Sequence, residues 1–535
     1  MLLKEAVRII KGRLLYDEGD ILNREYYCAI ASDLMSNVMV NGEEDSILIT
    51  SLVNPQVIRA SEMMNITCII ITCGKSVTDT MIELAKNRNI ALVETEDTTF
   101  TVCGKLHSRG MREGSVLQEN RRVMSIRTDS ERCTGCVHCA RVCPTEAIRI
   151  KGMKASVNAD RCIECGMCVK VCPRHAVRPV VGGMNAMDRY DRRIAIPASS
   201  FLGQFRDVKS RNHLLTALKR VGFDDVYEEA IGAEMVSYAT RMVLKEKKRP
   251  LPVISSACPA ILKLIQIRFP NLIDNVLDYR PPVEITAGLA RKEAEKKYGR
   301  DSKIGIFFIA PCTSKISLIK ESEGLVESDI DETVGISDIY KSVLKNLREL
   351  RDDEVEDLER AGVMGLRWAS TGGESIALET EKFIAVDGVD EAVEIFESIE
   401  DEKFRDVEYI EAGACTGGCF GGSLTVENSY SAKANIKVIV DEAKKRYGYD
   451  IINIPEDYCG LKRDIKLKYN PVLQLDQDLN VAIKKMEEMG RILRNLPGLD
   501  CGVCGAPTCR ALAEDTVRGL TTEDACIIME KAARR

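Results

Sequence analysis

The chain has 535 residues, 45% of them hydrophobic and 29% charged, and a formal net charge of −7. That length fits three or four domains, and mixed charge of this sign speaks against nucleic acid or an anionic membrane as a partner. No apolar run reaches the roughly eighteen residues of a membrane span, and the opening MLLKEAVRIIKGRLLYDEGD turns charged at once, so a cytoplasmic protein is expected.

Cysteine is the informative residue. There are 21, against four histidines that are scattered along the chain. Without an export signal, disulfides are a poor explanation, because the cytosol keeps thiols reduced. Metal sites built from thiolate are the better one, and soft thiolate selects iron–sulfur clusters, zinc or copper(I).

In residues 1–112, the apolar run Cys68–Gly74 predicts a buried strand, Ser76–Asn89 a helix and IALVET a second strand, which is a βαβ pattern. Cys28, Cys68, Cys73 and Cys103 show no ligand spacing there, nor does Cys459 later, and most are expected in packing.

Two repeated runs follow: Cys133-x2-Cys136-x2-Cys139-x3-Cys143-Pro144 and Cys162-x2-Cys165-x2-Cys168-x3-Cys172-Pro173. This is the bacterial two-cluster ferredoxin spacing, in which the fourth cysteine of each run serves the other cluster. Cys133, Cys136, Cys139 and Cys172 are therefore assigned to one 4Fe–4S cluster, and Cys162, Cys165, Cys168 and Cys143 to the other. The fourth cysteine is expected on the helix after each loop. His138 is expected as a bystander on the first loop. Zinc sites are usually separated cysteine pairs, not a repeated run ending in proline.

From about 190 to 450, strand-like runs (IGIFFIAPC, KFIAVDG) alternate with helical ones (EVEDLERAG), which predicts an α/β region with mostly parallel sheets. Cys258 in SSACPAI, Cys312 in IAPCTSK, and Cys415 and Cys419 in EAGACTGGCFGGS lie in three loops that could assemble one deep cluster site. A helix over Leu479–Arg494 leads to Cys501-x2-Cys504-x4-Cys509-x16-Cys526. Gly502, Gly505 and Pro507 keep that loop tight, so backbone amides can face the sulfurs. Zinc remains open for this all-cysteine site.

The three central loops resemble the signature motifs of FeFe (iron-only) hydrogenases, as do IPASSFLGQF, YRPPVEITAGLARKEAEKKYG and STGGES. The similarity covers residues 190–430, in the family's order, directly after a ferredoxin region. It implies that Cys258, Cys312, Cys415 and Cys419 hold a cubane, with Cys419 bridging to a two-iron unit that carries CO, cyanide and an azadithiolate. It further implies that Lys315 holds a cyanide as a point cation and that Pro197, Ala198, Gly372 and Gly373 line the cofactor. The departures matter too. Ala257 stands where catalytic members have a proton-relay cysteine, and it has no exchangeable proton. Leu318 replaces an acid, GAEMVSYATR offers no clear acidic pair, and Ala310 and Gly413 replace flanking methionines. This resembles the sensory groups C and D, more closely D.

LVNPQVIRASEMMNITCIIITCGK and FTVCGKLHSRG resemble the DRTGG domain, a regulatory α/β module, although no Walker-type glycine loop is present. The tail resembles the small 4Fe–4S domain attached to corrinoid iron–sulfur proteins. The expected architecture is an α/β multidomain chain. It comprises a DRTGG-like domain (1–112), a two-cluster ferredoxin domain (121–182), a two-lobed hydrogenase-like domain with the cluster between lobes (190–450) and a small helical 4Fe–4S domain (479–535). The expected partners are H2 and protons, a redox or signalling protein, and hydrogenase maturation proteins. The expected activity is slow reaction with H2 in hydrogen or redox sensing. The alternative is a non-catalytic protein with cubanes only, acting in electron transfer or cluster assembly.

Overall fold

The structure is a computed structural model that describes residues 1–16, 21–24, 26, 28–35, 38, 46–109, 111–113, 124–299, 301–321, 328–448 and 461–529. It is a mixed α/β chain with two compact units, Met1–Arg121 and Arg122–Arg535. Among the described residues no helix is long and apolar enough to cross a membrane.

The first unit is built on one sheet. Its strands are β1 (Arg13–Leu14), β2 (Cys28–Ala31), β3 (Ile47–Thr50), β4 (Cys68–Ile71), β5 (Ala91–Glu94) and β6 (Arg112–Glu113), in the spatial order β1-β5-β4-β3-β2-β6. Only β1 runs antiparallel to its neighbour. ILIT and CIII are buried at every position, as strands covered on both faces of a parallel sheet must be. The helix Pro55–Met63 starts with Asn54 capping the Gln56 N–H and proline in its first turn. The predicted helix after β4 is shorter than expected, Asp79–Asn87. Cys68 is buried, Cys28 and Cys103 are half-buried, and Cys73 is exposed, so packing does not account for Cys73. Cys459 lies outside the described residues.

The second unit begins with the cysteine-dense region. β7 (Ile126–Thr128), β8 (Ile148–Lys151), β9 (Lys154–Val157) and β10 (Val177–Pro179) form two antiparallel pairs, β7 with β10 and β8 with β9. The β8–β9 turn places both Gly152 and Met153 at positive φ, as a two-residue hairpin loop requires. β11 (Arg192–Pro197), β12 (Asp225–Val226), β13 (Val253–Ile254), β14 (Ile304–Ala310), β15 (Glu332–Gly335), β16 (Phe383–Asp387) and β17 (Tyr409–Gly413) then sort into two sheets, β12-β11-β14-β15 and β13-β17-β16. Every pairing in both is parallel, and β14 is buried along its whole length.

EVEDLERAG is not helical beyond a short 3-10 turn at Asp352–Glu354. Its backbone N–H groups are taken by other side chains. Leu358 and Glu359 donate to Asn212 Oδ1 (2.8 and 3.0 Å), and Arg360 and Ala361 donate to Glu228 Oε2 (2.8 and 3.1 Å). Those donors are then unavailable to a helix ladder.

Glu284 opens the helix Pro282–Tyr298 and is fully buried. It accepts from Ser328 Oγ (2.6 Å) and Asp329 N (3.1 Å), and burial pushes its carboxyl from 4.5 up to about 7. The folded state thus binds this proton more tightly than the unfolded chain. The contribution is fully present below pH about 4.5 and is lost as pH rises through about 7. Glu284→Gln, neutral throughout, should flatten that slope. Denaturant unfolding at pH about 5 and about 8 should show the stability of the variant rising relative to the natural chain at the higher pH.

Candidate functional site

The three central cysteine loops each follow the carboxyl end of a parallel strand. Cys258 follows β13, Cys312 follows β14, and Cys415 and Cys419 follow β17. Open parallel sheets place ligands there, outside the carboxyl ends of their strands. The loops of both sheets meet at one cavity of about 860 Å³. Its lining includes all four cysteines, Ser199, Ser200, Glu229, Ala257, Lys315, Glu374, Glu411 and Gly413.

Local geometry fixes the thiols. Cys258 is the N-cap of the helix Pro259–Arg268, with proline at its first position. Gly418 has φ +71, and a Cβ there would stand 2.5 Å from the Ala369 carbonyl oxygen. Only glycine fits so tight a return, and it lets Cys419 N donate to Ala369 O at 2.9 Å. Lys315 is buried and donates to Glu229 Oε1 at 2.5 Å. Burial opposes its charge, but the Glu229 carboxylate outweighs that and holds the ammonium well above its ordinary pKa. Glu229 is held in turn by the Ser199 N–H, 3.0 Å from Oε2.

A second acidic feature was not legible in GAEMVSYATR, because its members come from elsewhere. Glu374 accepts from Ser255 Oγ (2.7 Å) and from the Tyr409 hydroxyl, and Ser255 Oγ accepts from Ala257 N (3.1 Å). Glu411 accepts from Gly372 N (2.7 Å) and from Ser375 N and Oγ (both 2.8 Å). Burial, and then the neighbouring Glu411, push the Glu374 carboxyl above the usual carboxylate range. A buried carboxyl held at the edge of a cavity is placed to exchange a proton with it. The available signal was the acid inside two of the singled-out motifs, STGGES and EAGACTGGCFGGS.

Three smaller cavities are walled by cysteine quartets. Cys133, Cys136, Cys139 and Cys172 line one of about 330 Å³; Cys143, Cys162, Cys165 and Cys168 line another of about 320 Å³. Cys501, Cys504, Cys509 and Cys526 line a third of about 320 Å³. These donor sets fit iron–sulfur clusters. Backbone N–H groups of Ala155, Ala176 and Ala147 donate to the sulfurs of Cys133, Cys172 and Cys143 at 3.2–3.3 Å. Such donors are what thiolate-bound clusters use. Burial, then the neighbouring thiols, push Cys139 up to about 11. Burial likewise pushes Cys312 to about 11 and Cys419 to about 12. Thiols in such surroundings ionise when a metal cation is there to take the charge. Among the described residues no three His, Cys, Asp or Glu side chains converge on a single ion. A zinc site would need four sulfurs about 2.3 Å from one point.

The second ferredoxin quartet abuts the central region. Glu164, between Cys162 and Cys165, and Lys263, on the helix after Cys258, form a fully buried ion pair of 3.4 Å. Glu164 also accepts from Ser125 N (2.7 Å) and Lys263 donates to Ser317 Oγ (2.9 Å). Thr313 Oγ1 donates to the Glu164 carbonyl (2.7 Å), and Lys170 Nζ to that of Gly421 (2.9 Å).

Some expectations shift. The fourth cysteines lie past the short helices His138–Arg141 and Met167–Val171, and the third cysteines lie on them. His138 opens the first of these helices and lines its cavity, with Nδ1 3.1 Å from the Cys136 carbonyl oxygen. Pro197, Ala198, Gly372 and Gly373 are not among the lining residues of the central cavity; Ser199, Ser200, Thr371 and Glu374 are. Ala198 packs in the core with Ile194 and Ile196, and Gly373 is pressed against the Arg367 carbonyl. Leu318 is buried, Ala310 joins the same core as Ala198, and Gly413 reaches the cavity.

Four family models match parts of the chain. The model of the iron only hydrogenase large subunit, C-terminal domain, matches residues 191–374 and 335–423. A 4Fe–4S dicluster domain matches 125–173, and the DRTGG domain matches 5–108. The chain is FeFe hydrogenase-like and carries a DRTGG domain. An iron–sulfur cluster family, FeS, also matches 496–528 of this hydrogenase-like chain. Iron hydrogenase 1 of Clostridium pasteurianum is 23% identical over 277 residues, covering 42% of this chain and 48% of the relative. The periplasmic Fe hydrogenase large subunit of Nitratidesulfovibrio vulgaris is 27% identical over 274 residues, covering 47% and 64%. The hydrogenase-like chain thus spans about half of the first relative and under two thirds of the second. A solved FeFe-hydrogenase HydA1 variant from Chlamydomonas reinhardtii is 15% identical, with TM-score 0.38, over 52% of this chain and 95% of that one.

In the hydrogenase-like chain, Lys263→Met would leave Glu164 buried and unpaired. Removing one partner of a buried pair costs about 3–5 kcal/mol. The double variant Lys263→Met/Glu164→Gln should recover much of that loss in denaturant unfolding.

Proposed function

We propose that this hydrogenase-like iron–sulfur protein binds a cubane and a two-iron unit in the central cavity and interconverts H2 with protons and electrons slowly, in hydrogen or redox sensing. One observation carries the reading. The quartet cavities measure about 320–330 Å³, whereas the central cavity, with the same number of thiols, measures about 860 Å³. Beyond its four thiols the central cavity is lined by the Lys315–Glu229 pair and by Ser199, Ser200 and Thr371, polar groups that a unit with anionic ligands would use and a cubane alone would not, which supports this reading over the cubane-only alternative. In this reading Cys258, Cys312, Cys415 and Cys419 would hold the cubane, and Cys419 would also be the thiol shared with the two-iron unit. The unit, when bound, supplies the metal at which H2 is cleaved or formed.

The protein's part is binding, orientation and proton supply. Lys315, kept charged by Glu229, presents a fixed cation to anionic diatomic ligands. Ala257 offers no proton where a relay cysteine would, and Leu318 none where an acid would. Glu374 reaches the cavity from the single helical turn Gly373–Ile376 and Glu411 from β17, and Ser255 links Glu374 to the Ala257 backbone. We assign 1–112, 121–182, 190–450 and 479–535 as the working domains. Twelve further cysteines hold three accessory cubanes, one-electron carriers toward a redox or signalling partner. Hydrogenase maturation proteins supply the two-iron unit.

Infrared spectra after co-expression with the hydrogenase maturation machinery test the central claim. CO and cyanide bands are expected, together with loss of both in Cys419→Ala. Their absence from the natural chain would leave the cubane-only protein. Hydrogen turnover should be slow, and Ala257→Cys should raise it or change its pH dependence. The gain should fall below the 10²–10⁴-fold that a placed acid typically gives, because Leu318 still interrupts the path. Turnover at the rates of production hydrogenases in the natural chain would overturn the sensory reading.

A further inference from the structure

The tail and the central region both pack on the ferredoxin region. Gly502, between Cys501 and Cys504, faces Val137, the residue after Cys136; a Cβ added there would stand 3.5 Å from the valine side chain. The Gly505 carbonyl, one residue past Cys504, accepts from Ile150 N at 2.8 Å, and Ile150 lines the cavity of the first ferredoxin quartet. Four side chains clamp this junction. Arg149 meets Asp515 through two nitrogens (2.6 and 3.0 Å), and Arg161 meets Glu514 through two nitrogens, one at 3.1 Å. All four are 13% exposed or less, and Thr508 Oγ1 adds a hydrogen bond to Glu146 at 2.6 Å. The second quartet turns the other way: Gly166 packs on Ser423 and Thr313 of the central region, beside the Glu164–Lys263 pair.

We propose that the tail is the outermost station of a linear relay. Electrons pass between the central cavity, the second ferredoxin quartet, the first quartet and the tail quartet, in that order, and a one-electron carrier protein exchanges them at the tail. Oxidation of one H2 at the central cavity releases two protons and two electrons. The electrons leave singly through the tail and reduce two oxidised carriers; production of H2 consumes two reduced carriers in reverse. The outer wall of the tail cavity suits the exchange, because Val503 and Ile527 line it and are 56% and 40% exposed. Arg149, Arg161, Glu514 and Asp515 are positioning residues that hold the tail on the ferredoxin region, at the β8–β9 hairpin and at the residue before Cys162, while Gly502 and Gly505 bring the tail loop to Val137 and Ile150 of the first quartet. The proposal rests on the cubane reading above.

Electron paramagnetic resonance of the reduced, full-length, iron-reconstituted protein tests the order through magnetic coupling between neighbouring clusters. The tail signal is expected to be coupled in the natural chain, to sharpen to an isolated signal in Cys139→Ala, and to stay coupled in Cys168→Ala. The Glu514→Gln/Asp515→Asn variant, with every cysteine intact, is expected to keep its iron and lose tail coupling. A tail cubane that is uncoupled in the natural chain, or that responds to Cys168→Ala and not to Cys139→Ala, would overturn the order. Unchanged coupling in the double variant would overturn the clamp. Zinc in the tail, with iron about four atoms short of the roughly sixteen that four cubanes require, would overturn the cubane reading there and the relay with it.

Discussion

Concentrating negative sulfur inside a protein is the constraint from which the rest of this structure follows. A buried thiolate is costly in a low-dielectric interior unless positive charge or donors surround it. The central cavity meets that need in several ways. Cys258 and Cys312 each stand at the start of a helix, Pro259–Arg268 and Thr313–Glu321, where the helix dipole favours negative charge. Lys315 brings a full charge to the cavity and Glu229 keeps it there. In the small quartets the same task falls to backbone N–H groups, which explains why their loops are short and turn through positive φ at Gly135, Gly166 and Gly502.

The same constraint accounts for how the regions of the second unit join. The ferredoxin region buries most of its cysteines in its own core, and its neighbours complete the loops around them. Glu164 and Lys263 seal one side, and Arg149, Arg161, Glu514 and Asp515 seal the other. Each seal uses charge that is mostly out of water, where truncating one partner is far more costly than at a surface. Both seals therefore set the relative position of the parts they join.

What the sequence makes legible is the part whose logic is local. The ferredoxin and tail quartets are written in spacings of a few residues, and the strand-like runs IGIFFIAPC and KFIAVDG become β14 and β16. Cys258, Cys312 and Cys415 have no short spacing between them, so the residues alone show only three loops able to share one site, and the resemblance supplies its ligand set and chemistry. Three features were not legible at all. Glu374 and Glu411 meet because a turn and β17 converge, and Arg149 finds Asp515 across 366 positions. EVEDLERAG has a helical pattern, yet Asn212 and Glu228 claim its N–H groups. Near Pro197, Ala198, Gly372 and Gly373 the cavity is lined by residues one or two positions further along or back, Ser199, Ser200, Thr371 and Glu374. That small an offset decides whether a residue ends a strand or faces the cavity.

The division of the central ligands between two separate sheets has a consequence for the order in which the molecule can be made. Cys312 hangs from β14 of one sheet, and Cys258, Cys415 and Cys419 from the three-stranded other. Contacts between distant parts of a chain form late, because the loop entropy between them must be overcome first. The eight ferredoxin ligands, by contrast, are gathered within one short stretch, and its hairpin β8–β9 is closed locally. The order of assembly is thus sequential by construction: the eight cysteines of the ferredoxin region can be gathered on the nascent chain, while the central cavity exists only once both sheets are in place.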